Sequence, residues 1–208
     1  MKFVLASASP ARLATLRNAG LDPEVIVSHV DEDAFTAEDP AALAQLLAEQ
    51  KATAVANLLT EPALVLGCDS VLELDGEALG KPGTREVAVA RWKQMRGRTG
   101  VLRTGHALYN TRTRSLAGAV GSTSVHFRNL SDEEIDAYVA TGEPMDVAGA
   151  FTIDGLGGWF IDEIQGDPHT VVGVSLPLVY GFIRGMGYTL GDLGWPTTSS
   201  GFPGRLYR

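Results

Sequence analysis

The sequence predicts an α/β fold, and three observations carry that reading. Residues 2–6 form a short apolar strand pattern that runs directly into Ser9-Pro10, a helix start. Asp39-Pro40 opens a second, longer helical pattern, and that pattern leads to an apolar strand around residues 64–71. Two more strand-like runs, 101–109 and 116–127, lie between helical patterns at 84–96 and from Ser131 onward. Strand and helix signals therefore alternate along most of the chain.

Taken in order, the first strand ends in Ser7-Ala8-Ser9-Pro10. Ser9 suits a helix N-cap, and Pro10 suits the first helical position, where its missing N–H costs nothing. Leu13 and Leu16 mark the inner face, and Gly20 ends the helix. Free N–H groups and the helix dipole make such a turn an anion site by geometry, and Arg12 in the first turn could add a bidentate grip. The alternative is a plain capped helix with a solvated arginine. Residues 24–28 read as a second strand, and Val30-Asp31-Glu32-Asp33 as an acidic loop that becomes a metal-ligand candidate only if it faces Asp69. The helix over about 40–59 should turn Leu43, Leu46, Leu47, Ala54 and Leu58 inward. Lys51 lies near the edge of that face, either as a snorkelling side chain or as a phosphate clamp.

Around Asp69, the apolar residues Leu64, Val65, Leu66 and Val71 predict a buried strand carrying one carboxylate. A charge there is costly unless it is paired or binds a metal. Asp75-Gly76 then predicts a tight hairpin turn. The chain returns through Ala78 and Leu79 to Gly80-Lys81-Pro82, which should bring Lys81 and Asp69 into one cleft. The run from Gly76 to Lys81 is not a P-loop: it is one residue short, and Pro82 stands where a magnesium-binding hydroxyl is required. The helix at 84–96 carries Val87, Ala90, Trp92 and Met95 and stops at Gly97. Asn110 to Arg114 separates the two long strands as a polar hairpin loop. Ser131-Asp132-Glu133-Glu134 is a capping box for a helix that carries Ile135 and Tyr138 inward and stops at Gly142. The glycine-rich stretch 146–158 lets a ligand approach the backbone closely. Residues 159–164 read as the last clear strand, 170–184 as a strand-to-helix passage, and 185–208 as an irregular tail.

The chain has 208 residues, 45% of them hydrophobic, enough for a proper core in one domain or two close lobes. No apolar run is long enough to span a bilayer, and the N-terminus reads as a strand rather than a signal peptide. A net charge of −8 argues against a nucleic-acid polymer as partner, because phosphate backbones need a basic face. Small anions remain suitable where the few basic residues converge. One cysteine forms no internal disulfide, and the expected compartment is a reducing cytosol. The four histidines, His29, His106, His126 and His169, have no paired spacing and read as structural or exposed. The absence of a Gly-x-Ser-x-Gly elbow leaves acyl-transfer hydrolysis unsupported.

Six segments occur in a recognisable order: Leu5-Ala6-Ser7-Ala8-Ser9-Pro10 with Arg12, Gly67-Cys68-Asp69-Ser70, Leu79-Gly80-Lys81-Pro82, Thr141-Gly142-Glu143-Pro144, Ala148-Gly149-Ala150-Phe151 with Gly155-Leu156-Gly157-Gly158, and Val171-Val172-Gly173. Together they resemble the Maf family over residues 1–184. The resemblance implies a Maf/Ham1-like fold, a mixed, strongly curved sheet flanked by helices with two lobes around a long cleft. It implies a nucleoside triphosphate pyrophosphatase of a family that generally uses Mg²⁺, Mn²⁺ or Co²⁺ and is often a homodimer. The family name also carries an alternative, a nucleotide-sensing regulator of cell division with little catalysis. The family's functional positions fall here on Ser7, Ser9, Arg12, Glu32, Lys51, Asp69 and Lys81. On that basis Ser7, Ser9, Arg12, Lys51 and Lys81 would hold phosphates. Glu32 and Asp69 would hold a divalent ion, or Asp69 would orient and deprotonate the water. Three substrate-sorting positions carry Ala11, Ser70 and Asp154. The pyrimidine branch has Arg, Thr and Gln there, the 7-methylguanylate branch Trp, Gln and Glu, and this chain matches neither. Val147 stands where the family usually has lysine.

Overall fold

The structure, a computed structural model, describes residues 1–196. Its helices and strands in chain order are β1 (Lys2–Leu5), α1 (Pro10–Asn18), β2 (Glu24–Val25), α2 (Pro40–Ala56), β3 (Ala63–Leu74), β4 (Glu77–Leu79), α3 (Arg85–Met95), β5 (Thr99–Asn110), β6 (Ser115–Phe127), α4 (Asp132–Ala140), β7 (Ile161–Gln165), α5 (Pro168–Val172) and α6 (Leu176–Gly185). The strands form one seven-stranded sheet in the order β2-β1-β3-β5-β6-β7, with β4 also on β3. β1 runs parallel to β2 and β3, and the remaining pairs are antiparallel, so the sheet is mixed.

One feature of the pairing positions the site. On the same edge, β3 pairs with β1 from Ala63 to Leu66 and with β4 from Leu72 to Leu74. Between those two neighbours, residues 67–71 have no strand beside them on that edge, whereas on the other edge β5 pairs with them continuously. A cleft therefore opens in the middle of the sheet, opposite Asp69. Apolar contact is divided around it. Trp92, Phe127, Tyr138 and Phe151 centre one buried cluster, and Leu5, Leu16, Leu66 and Ile183 belong to another.

The inward face of α2 differs from expectation. Its buried residues are Ala44, Leu47, Ala48, Lys51, Ala52, Val55 and Ala56, with Pro40 at its start. Leu43, Leu46 and Ala54 are only half-buried, and Leu58 is exposed beyond the helix end. The cause lies in the sheet beneath. A Cβ added to Gly67 would fall 2.2 Å from the Ala48 carbonyl oxygen, and one on Gly105 would fall 2.1 Å from that of Ala44. The helix backbone rests on glycines, so alanines fit the seam and leucines do not. Gly67→Ala should therefore lift α2 and destabilise the protein by about 1–3 kcal/mol, readable by urea unfolding. An unchanged midpoint would contradict so close a seat.

Other boundaries also shift. The second strand is limited to Glu24–Val25. Trp159 and Phe160 belong to a 3₁₀ turn, and the strand that follows is Ile161–Gln165. The passage at 170–184 contains no strand but two helices broken at Gly173, whose φ is 110°. Each has its own cap: Asp167 accepts from the His169 N–H and Ser175 from the Leu178 N–H. Of the stretch read as a tail, Met186, Tyr188, Leu190 and Leu193 pack on the cluster around Leu5. Trp195 donates to the Ala19 carbonyl at 2.8 Å. The rest of that stretch, 197–208, lies outside the described residues. Among the described residues no helix is long and apolar enough to cross a membrane.

His106 is fully buried in β5, where its Nε2 accepts from the Ser175 N–H at 2.7 Å. Burial, aided by the Arg12 charge, pushes its pKa from 6.5 down to about 4. The unfolded chain takes a proton here near pH 6.5 and the folded chain resists, so the contribution is present above 6.5 and is lost as pH falls toward 4. The shift corresponds to about 3 kcal/mol. His106→Gln, which keeps an acceptor for Ser175, should have a flatter stability profile across that window. Parallel profiles for the two proteins would disprove the assignment.

Candidate active site

The turn after β1 brings the capped N-terminus of α1 to the wall of the cleft. The Ser9 side chain caps α1 by accepting from the Arg12 N–H, and Ser7 Oγ accepts from the Ser9 N–H at 3.2 Å. Arg12 folds back over this turn. Its Nε donates to the Gly173 carbonyl at 2.8 Å, one Nη to Ser7 Oγ at 3.0 Å, and the other to Ser70 Oγ at 3.1 Å. A guanidinium has five N–H donors, so two remain.

The gap in β3 presents Asp69, and α2 reaches toward it with Lys51. The Lys51 ammonium lies 2.5 Å from Asp69 Oδ1 and 2.7 Å from Glu32 Oε1. The Lys51 and Asp69 side chains are only 9% and 10% exposed, and Glu32 is 44% exposed at the mouth. The acidic loop thus does face Asp69, through a shared lysine. Burial pushes the Asp69 carboxyl above the usual carboxylate range, against the pull of the Lys51 and Arg12 charges. At Glu32 burial is the largest influence and acts upward. The Lys51 hydrogen bond and the Lys51, Lys81 and Arg12 charges together outweigh it and hold the carboxyl low.

The β3–β4 hairpin turns through Asp75 and Gly76 at φ 54° and 82°, as the Asp-Gly signal predicts. It delivers Lys81 to the same cleft as Asp69, a space of about 830 Å³. Ser7, Ser9, Ala11, Arg12, Glu32 and Lys51 line this space as well. So do Ser70, Val147 and Asp154. The candidate phosphate-binding, metal-binding, catalytic and substrate-sorting residues named from the sequence therefore all line one cleft. Among the described residues, Lys81 and Asp154 make no ion pair.

Three residues that shape the cleft escaped the sequence reading. Arg91 of α3 donates to the Gly80 carbonyl at 2.5 Å, which also accepts from the Gly149 N–H, so the peptide before Lys81 is held from two sides. Glu143 accepts from Tyr138, Thr152, Leu156 and Gly157, which pins the glycine-rich loop carrying Asp154. Thr104 is fully buried, and its hydroxyl touches Ser70. Glu143 lies in a quoted motif, but Arg91 and Thr104 carry no local signal because their partners are distant in sequence.

Among the described residues no group of three or more His, Cys, Asp or Glu side chains gathers to hold a metal ion. The two carboxylates share one ammonium, for a net charge of −1, and each keeps its second oxygen. That donor set suits a hydrated Mg²⁺-like cation bound by one or two carboxylates plus substrate phosphates, and not an all-protein cage.

Residues 2–186 match the family described as Maf-like protein. A protein of Streptomyces avermitilis named nucleoside triphosphate pyrophosphatase is 56% identical over 196 residues, covering 94% of this chain and 95% of that one. A relative of the same name from Mycolicibacterium gilvum is 53% identical, covering 92% of this chain and 97% of that one. Another from Thermosynechococcus vestitus is 51% identical, covering 92% and 96%.

Proposed function

The chain belongs to the Maf-like protein family, and from that premise we infer that it hydrolyses nucleoside triphosphates to a nucleoside monophosphate and pyrophosphate. The observation that carries this is the Asp69–Lys51–Glu32 arrangement beside the Arg12-braced turn, in one cleft with Lys81. A triphosphate brings about four negative charges, and an acidic protein has to neutralise them locally. We propose that Arg12, Lys51, Lys81, Ser7 and Ser9 bind the phosphate oxygens. Asp69 takes the proton of a water that attacks the α-phosphorus in line, the bond from that phosphorus to the bridging oxygen breaks, and pyrophosphate leaves. A carboxyl raised by burial is suited to accept that proton. Positioning and charge stabilisation supply most of the remaining effect.

A divalent ion (Mg²⁺, Mn²⁺ or Co²⁺) would be held by Glu32 and the substrate, with Asp69 as a further ligand in the alternative in which it is not the proton acceptor, and would offset phosphate charge. Ala11 and Asp154 line the same cleft and are proposed to face the base or sugar. A cytoplasmic location is proposed, and the single, buried thiol of Cys68, which forms no internal disulfide, is consistent with a reducing compartment. A homodimer is proposed from the family resemblance, with light scattering as its test. No feature of the site favours a regulator that senses nucleotides without cleaving them, because binding alone has no use for a poised carboxylate.

The test is product analysis on a panel of canonical and modified triphosphates with each metal. Monophosphate and pyrophosphate are expected in equal amounts. Diphosphate and orthophosphate would instead identify an enzyme that removes the terminal phosphate.

A further inference from the structure

The hydroxyl of Ser70 sits at one of the three positions that resemblance associates with base choice, yet its contacts lie elsewhere. Thr104 Oγ1 is 2.9 Å from the Thr170 carbonyl oxygen, which can only accept. The Thr104 proton is therefore committed to that carbonyl. Ser70 Oγ lies 2.9 Å from Thr104 Oγ1, so the Ser70 proton must point at Thr104. The Ser70 oxygen in turn accepts from Arg12 at 3.1 Å. A hydroxyl has one donor, so the order of donation is fixed: Arg12 to Ser70, Ser70 to Thr104, Thr104 to the backbone of α5. No proton is left at Ser70 for a nucleobase. The far end of the relay is rigid, because Thr104 is fully buried and Thr170 nearly so. The same α5 segment ends at Gly173, whose carbonyl takes the Arg12 Nε.

We propose that Ser70 and Thr104 are positioning residues that hold the Arg12 guanidinium so that its two remaining N–H groups meet a phosphate, and that Ser70 donates no hydrogen bond to the base and does not set base choice. This rests on the triphosphate reading of the cleft and specifies how one of its cations is aimed. It assigns a role to Thr104, which is fully buried and does not line the cleft. It also predicts that the effect of the pair is felt at the phosphates, whatever base they carry.

The experiment compares wild type, Thr104→Val, Thr104→Ser and Ser70→Ala in two assays. The first measures kcat/KM for a purine and a pyrimidine triphosphate. The second measures binding of inorganic triphosphate, which has no base, by calorimetry. Thr104→Val and Ser70→Ala should each lower kcat/KM by ~10-fold, by the same factor for both nucleotides, and should weaken inorganic triphosphate. Thr104→Ser, which keeps the hydroxyl, should restore both values, and the double variant Ser70→Ala/Thr104→Val should lose no more than either single one. Melting curves screen out variants that fail to fold, and Ser70→Ala carries the test if Thr104→Val is one of them. A change in the purine-to-pyrimidine ratio would overturn the proposal by showing that Ser70 reads the base. Folded variants with unaltered triphosphate binding would overturn it equally. A wild type that binds inorganic triphosphate but cleaves no nucleotide would sink the pyrophosphatase reading alone, and the binding series would still decide the relay.

Discussion

Asp69→Asn should leave a folded protein whose turnover has fallen by ~10²–10⁴-fold. The two side chains are nearly equal in size, and the amide oxygen can still accept from Lys51. Lys51 keeps Glu32 as a charged partner and the amide oxygen as an acceptor, so the melting temperature should fall less than in a variant that strands a buried charge. Nucleotide binding should persist, because Arg12, Lys51 and Lys81 are untouched and one negative charge near the phosphates is gone. Rapid-quench turnover and equilibrium binding of the same triphosphate separate the two effects. Near-normal turnover would remove Asp69 as proton acceptor. Loss of binding in step with loss of turnover would show that Asp69 works mainly by holding the substrate or its cation.

The second large effect is expected at Lys51. Its side chain is 9% exposed and supplies the nearest cation to Asp69, at 2.5 Å. Lys51→Met keeps the apolar stem and deletes the charge, leaving a buried carboxylate without its main partner. Breaking a buried pair in this way costs about 3–5 kcal/mol. The cost should depend on pH. Without Lys51 the folded Asp69 carboxyl rises still further, so the folded state holds its proton where the unfolded chain, near pH 3.9, has released it. Stability of the variant then falls as pH rises through the folded value, and the gap to wild type is widest at neutral and alkaline pH. Urea unfolding at pH 5 and pH 8 reads this directly. Adding Asp69→Asn should recover much of the stability and none of the activity. A loss below 1 kcal/mol, or one independent of pH, would mean that water reaches the pair freely.

Much of the site could be read from residue order. Asp69 stands out because Leu64, Val65, Leu66 and Val71 make its strand apolar on both faces. The Asp75-Gly76 turn fixes where Lys81 returns, because few residue pairs accept two successive positive φ values. Ser9-Pro10 announces a helix start whose N–H groups face the cleft. These signals are short in range, and each depends on chemistry within about ten residues. Residue order carries no signal where the decisive neighbour is remote. Helical spacing alone points the leucines of α2 inward, but Gly67 and Gly105 in the sheet select alanines there. The apolar run at 170–184 predicts a strand before a helix, but Ser175 caps a helix, with its Oγ bound to Asp167 and its N–H to His106.

By itself, then, the order of amino acids determined the α/β alternation, the capped turns, the buried acid and the family resemblance. Only the tertiary structure decided that Lys51 joins Asp69 to Glu32, that Arg12 is braced from Ser7, Ser70 and Gly173, and that Arg91 steadies the peptide before Lys81. The reason is physical. Local signals arise from backbone torsions and neighbouring side chains. A hydrogen bond between residues 161 positions apart, such as that from Arg12 to Gly173, exists only because a mixed sheet brings both ends of the chain to the same gap beside β3.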